Sequence, residues 1–140
     1  MASPEAFAQR MGQIAVGIED NADRVVRTAA LVADQTVVLA TPVDTGRARA
    51  NWIASVNRPV LEAREDSYSK SGAESIARAS RVIGTYRRGD QSIHLSNNLP
   101  YIGFLNAGSS RQAPINFVQR AVLQAVEAVR RAVLIGRSRE

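Results

Sequence analysis

Cysteine is missing from the 140 residues, which excludes disulfide scaffolds, thiolate zinc sites and cysteine nucleophiles. A single histidine, His94, excludes multi-histidine metal sites and leaves most catalytic triads without a base. Aromatic residues make up 5% and do not interleave with cations, which weakens any stacking platform for single-stranded nucleic acid. No apolar run reaches the ~18 residues of a membrane span. The start Met1-Ala2-Ser3-Pro4-Glu5 lacks the basic beginning and apolar run of a secretory signal, so a cytoplasm-like compartment without a membrane partner is expected. Lysine is almost absent: Lys70 is the single lysine among 18 cations, and the rest are arginine. High-GC coding is the simplest source of that bias, although arginine also favours bidentate pairing at interfaces and with phosphate.

What is present is ordinary for a folded protein. Hydrophobic residues make up 45% and charged residues 22%, with a net charge of +5. This length and composition predict one domain over residues 1–140. The charge permits nucleic-acid contact without demonstrating it, because the arginines are scattered and only Arg87-Arg88 and Arg130-Arg131 are adjacent.

Residues 4–40 read as one long helix. Pro4 suits the first helical position, with Ser3 as its cap and Glu5 in the first turn. Phe7, Met11, Ile14, Ile18, Ala22, Val25, Ala29, Val32 and Thr36 recur at steps of three and four, which predicts a sustained apolar stripe. At 1.5 Å per residue the helix runs to roughly 50 Å, longer than a domain of this size requires. A core helix or one shared with adjacent subunits accounts for that length. Thr41-Pro42 then ends it, and Asp44-Thr45-Gly46 forms a turn.

Residues 51–57 alternate as a strand around Trp52, a candidate core anchor. Residues 58–73 are polar and form a long exposed loop, expected to be mobile in a free subunit. A short helix over 73–86 presents Ile76, Ala79, Ser80 and Ile83 on one face. Arg87-Arg88-Gly89-Asp90 is a turn, residues 91–97 a strand, and 101–107 a second extended segment suited to antiparallel pairing. A last helix opens at Pro114 or Ile115 and carries Phe117, Val118, Val122, Ala125, Val126, Val129 and Val133 on one face. It stops at Gly136, and residues 137–140 fray. The expected class is α+β: a long N-terminal and a C-terminal helix packed on a small antiparallel sheet, with a short middle helix and a long polar loop.

Little in the sequence points to catalytic chemistry. His94 lies on the polar side of its strand with no visible partner. Glu19-Asp20 with Asp23, and Glu62 with Glu65-Asp66, read as solvated charge rather than as carboxylate pairs with raised pKa values. Thr45-Gly46-Arg47 and Gly108-Ser109-Ser110-Arg111 match no phosphate or dinucleotide fingerprint, and the second reads as a turn with subunit contacts ahead of an anion site. No catalytic, metal or cofactor residue is nominated, and an enzyme is not expected.

Two segments resemble a known family. Thr41-Pro42-Val43-Asp44-Thr45-Gly46-Arg47-Ala48-Arg49-Ala50-Asn51-Trp52 follows the long helix. Ile93-His94-Leu95-Ser96-Asn97-Asn98-Leu99-Pro100-Tyr101-Ile102-Gly103-Phe104-Leu105-Asn106-Ala107-Gly108-Ser109-Ser110-Arg111-Gln112-Ala113-Pro114 precedes the last one. In this order they resemble the tail-completion, or neck, family of long-tailed bacteriophages. Members show "P-V-D-T-G-R-L" after the first helix and "N-x-x-P-Y-A-x-x-x-E-x-G-x-S-x-Q-A-P" before the last. This chain has Ile102 where a small residue is usual and Asn106 where glutamate is usual.

The resemblance implies a virion structural protein at the head–tail junction. It implies a ring, usually six-fold, that completes the head-proximal end of the tail and joins tail to head. The implied partners are further copies of the chain, the head-completion or stopper protein, and the tail terminator or tail tube protein. DNA would pass through the lumen without sequence-specific binding. Pro42, Asp44, Thr45, Gly46, Arg47, Arg49, Asn106, Gly108, Ser109, Ser110, Arg111, Gln112 and Pro114 become candidate contacts to other subunits. Arg47, Arg49 and Arg111 are suited there to charge-assisted bonds with neighbouring carboxylates or carbonyls. Alternatives are a tail terminator or head-closure ring and, in another class, a basic nucleic-acid-binding protein.

Overall fold

The computed structural model describes the backbone of residues 4–109, 111 and 115–138, and side chains over 22–109, 111 and 115–131. Helix α1 spans Pro4–Ala40, α2 Arg47–Ala50, β1 Ile53–Val56, α3 Ala73–Ile83, β2 Ile93–Ser96, α4 Ile102–Asn106 and α5 Phe117–Ser138. The fold is α+β, with helices packed around a two-stranded antiparallel sheet. Ser3, the expected cap of α1, lies outside the described residues.

Helix α1 ends where Pro42 forbids continuation. Thr41 N–H still reaches the Val37 and Val38 carbonyls, and side chains serve the helix end further. The Thr41 hydroxyl donates to the Val37 carbonyl at 2.6 Å. Arg49 donates from Nη2 to Leu39 O and from Nε to Thr41 O, both at 2.9 Å. A cation at this end also opposes the negative pole of the helix. The buried indole of Trp52 closes the group by donating Nε1–H to Thr41 Oγ1 at 2.9 Å.

Two apolar clusters stack along α1. Val37 and Val38 meet Trp52, Phe117 and Ala121, with Ile76, Ile102 and Leu105 packed against them. Nearer the helix middle, Ala30 and Leu31 pack on Ala54, Ala79 and Ile83 beside Ile93 and Leu95. The sheet register pairs Ala54 with Leu95 and Val56 with Ile93, so these four residues share the face turned toward α1 and α3. On α3 the fully buried face is Ser75, Ala79 and Ile83. Ser80, expected on that face, is exposed, and Ser75 replaces it by donating its hydroxyl to Trp52 O at 3.0 Å.

Several expectations need correction. The strand predicted over 101–107 is helix α4. Leu99, Ile102 and Leu105 recur at steps of three, and so short an apolar run does not distinguish strand from helix. Leu99 is buried, whereas Phe104 is 70% exposed. The short helix α2 has no counterpart in the predicted elements, and α3 stops at Ile83 rather than Tyr86. The last helix opens at Phe117, after Asn116 adopts a positive φ of 62°. It runs through Gly136 to Ser138, so Arg137 and Ser138 are helical rather than frayed.

The 58–73 loop is mostly exposed, and hydrogen bonds fasten it along its length. Arg64 N–H donates to Asn51 Oδ1 at 2.7 Å, Asn98 Nδ2 to Val60 O at 2.8 Å, and Ser69 N–H to Gly46 O at 3.0 Å. Two glycines permit its close approach. Gly46 has φ 85°, and a Cβ there would lie 2.5 Å from the backbone of Ser69 and Lys70. Gly72 has φ 77°, and a Cβ would lie 2.5 Å from Val38 Cγ1.

Candidate self-association surface

The two segments that carry the family resemblance fold against each other. Asn97 Nδ2 donates to Ala48 O at 3.0 Å. A cleft of about 250 Å³ separates the 42–48 turn from Tyr101 and Leu105 on and beside α4. Of the nominated residues, Pro42 and Gly46 are buried, Asp44 and Thr45 are exposed, and Arg47 is half-buried in the cleft wall. Thr45 Oγ1 accepts from Arg47 N–H at 3.3 Å, a side-chain turn that starts α2.

Arg49 is committed within its own chain. Besides holding the end of α1, its Nη1 donates to Lys70 O at 2.9 Å, tying the helix end to the polar loop. Asn106 is likewise internal. Its Oδ1 accepts from Val118 N–H at 3.0 Å, its Nδ2 donates to Gln119 Oε1 at 3.0 Å, and its carbonyl accepts from Asn116 N–H at 2.7 Å. It caps α5 from a distance in sequence, satisfying an N–H that the helix leaves free. Gly108, Ser109 and Arg111 are exposed, whereas Ser110, Gln112 and Pro114 lie outside the described residues.

A wider opening than this cleft lies between α1 and α5. Phe117 of α5 lies at the Thr36–Pro42 end of α1, and Val129 lies near Val25, so the two helices run antiparallel. Ala121 and Ala125 face inward. Between the helices is an open groove of about 520 Å³ lined by Val25, Val26, Ala29, Val122, Val126 and Val129 above Ile93 and Leu95. Val122 and Val126, placed by the sequence on the apolar face of the last helix, are 53% and 51% exposed, and the neighbouring Leu123 is 68% exposed. The stripe on α1 is displaced in the same sense: Asp34, Val37 and Val38 are buried while Val32 and Thr36 are half-buried.

Asp34 escapes a reading by apolar steps because it is charged. Its residue is 1% exposed, and its Oδ1 has no hydrogen-bond partner. Burial pushes its carboxyl up from 3.8 to about 7. The signal that could have found it is its place one turn before Val37 and Val38 and one turn after Ala30, on the face that meets the core. His94 shares a hydrogen bond of 2.9 Å with Ser92 Oγ across two residues of β2. Ser55, opposite His94 in the sheet, has a buried hydroxyl without a partner.

A second polar cavity, about 430 Å³, is lined by Asp23, Arg24, Arg27, Arg87 and Arg88. Arg27 Nη1 and Arg87 Nη1 both donate to Tyr86 O, at 3.0 and 3.2 Å. Asp90 stabilises the adjoining turn by accepting from Arg87 N–H at 2.7 Å and from Asn57 Nδ2 at 3.0 Å. The Arg87 N–H bond first, then that of Asn57, holds the Asp90 carboxyl below its ordinary value. Among the described residues no group of three metal-ligating side chains is assembled, and no helix is long and apolar enough to cross a membrane. No family model, curated protein or solved structure matches this chain.

Proposed function

We propose that the chain is a structural protein of the phage neck, forming a ring of like subunits that completes the head-proximal end of the tail and joins it to the head. The observation that carries this reading is the uncovered α1–α5 groove. Exposed Val26, Val122 and Val126 line one apolar groove, and such faces mark association sites in folded proteins. A helix of 37 residues, about 55 Å long, projects well past the ~33 Å of α5. Surface of that extent is suited to burial against identical copies. The paired motifs carry the resemblance on which this reading draws, and the Asn97–Ala48 hydrogen bond joins them in the fold.

Ring closure requires head-to-tail contact between two different patches on each subunit. The head-completion or stopper ring would lie on one side and the tail terminator or tube on the other, with DNA in the lumen. Deleting the gene from the phage tests the reading. Separate filled heads and tails are expected, whereas normally joined particles would refute it.

A second reading, duplex binding, is favoured by the arginines around the Asp23 cavity. It predicts affinity for duplex that falls steeply with salt, because phosphate contacts release counterions. A channel through which DNA slides predicts weak binding at both low and high salt, so a titration at two ionic strengths separates the two.

A further inference from the structure

Arg47 and Arg49 are two residues apart and differently served. The Arg49 guanidinium has three carbonyl acceptors in its own chain. Arg47 makes its hydrogen bonds through its backbone, donating N–H to Thr45 Oγ1 and accepting at its carbonyl from Asn51 Nδ2. Its side-chain Nε is shut off from solvent and has no acceptor. Its two Nη groups are not sealed and hold no acceptor among the described residues, so they are the donors left for an anionic partner. The residue lines the cleft between the 42–48 turn and α4, and Asp44 on the rim is exposed and forms no ion pair with it.

We infer that this cleft is a carboxylate-binding site, and that its occupant is an acidic side chain from the 62–66 stretch of a second copy of the chain. The inference rests on the ring reading above. The planar fork of a guanidinium takes a carboxylate through two parallel N–H donors. The same chain offers the complementary group. Glu62, Glu65 and Asp66 are exposed and form no ion pair among the described residues. Their backbone is fixed by the bonds from Asn98 to Val60 O and from Arg64 N–H to Asn51 Oδ1, so little further ordering is needed when the stretch meets a neighbour. A cation in one patch and carboxylates in another suit a head-to-tail contact, which repeats around a ring.

Sedimentation velocity of the full chain over a concentration series tests the pairing. The variants are R47E, R47Q and each of E62R, E65R and D66R, alone and combined with R47E. Circular dichroism monitors folding, and R47Q covers the case in which charge reversal disturbs the fold. Both Arg47 variants are expected to raise the midpoint concentration of assembly about tenfold or more. One of the three double reversals is expected to restore it. Unchanged assembly of R47E and R47Q overturns the inference and leaves the ring reading standing. Loss that none of the double reversals restores also overturns it. A wild-type chain that stays monomeric throughout and is missing from the neck of intact particles overturns the ring reading and this inference together.

Discussion

Replacing Asp34 with asparagine should abolish most of the pH dependence of stability between about pH 4 and pH 8. The carboxyl is sealed in the face of α1 that meets the core, with Oδ1 unpaired. Burial favours the neutral acid and raises its pKa from 3.8 to about 7. The sign follows from proton counting. Between these values the unfolded chain has released its proton and the folded chain retains it. Stability therefore falls as pH rises through this window, and it levels off above about 7. The gap between 3.8 and about 7 corresponds to a ceiling of roughly 4 kcal/mol at 1.36 kcal/mol per pH unit. Local relaxation and water entry bring the observed value below that. The Asp34→Asn variant keeps the shape and carries no ionisable proton. It should match the wild type near pH 4 and exceed it by a few kcal/mol near pH 8. Urea unfolding followed by the fluorescence of Trp52, the single tryptophan, reads both curves, with protein concentration fixed because association adds its own stabilisation. A wild-type stability that rises over this range, or an Asp34→Asn curve with the same slope, would refute the reasoning.

Other perturbations have outcomes that the geometry sets. Gly46→Ala places a methyl against the Ser69–Lys70 backbone at a positive φ; thermal unfolding should show a loss of roughly 1–3 kcal/mol. Arg49→Met frees the carbonyls of Leu39, Thr41 and Lys70, and denaturant titration should report roughly 1.5–3 kcal/mol lost. Asn106→Ala removes the acceptor for Val118 N–H and should cost about 1 kcal/mol with weaker amide-exchange protection at the start of α5. Val126→Asp charges the groove at an exposed position. Subunit stability should move by less than about 0.5 kcal/mol while light scattering shows assembly lost.

How much of this structure could be read from residues alone varies along the chain. The span of α1 was readable, because a long three-and-four periodicity and Thr41-Pro42 bound it. Trp52 as a core anchor was readable too, since a lone large aromatic in a short apolar strand has few other places to go. The α4 segment was not: seven mostly apolar residues carry no decisive period, and the packing of Ile102 and Leu105 on Trp52 and Val37 settles it. The exposure of Val122 and Val126 was hidden for a related reason. Periodicity identifies an apolar face without saying how much of it its own chain can cover. On the polar side, the 41–51 turn was recognised as a unit, but the division of labour between Arg47 and Arg49 depends on which carbonyls the folded helix end presents.

An electron-microscopy reconstruction of intact particles bears most directly on whether copies of this chain close into a neck ring. Density for the chain is expected as a closed ring between head and tail, with the faces of α1 and α5 that carry Val26, Val122 and Val126 covered by an adjacent copy. Density for an isolated subunit, or a ring in which those valines face solvent, would contradict it.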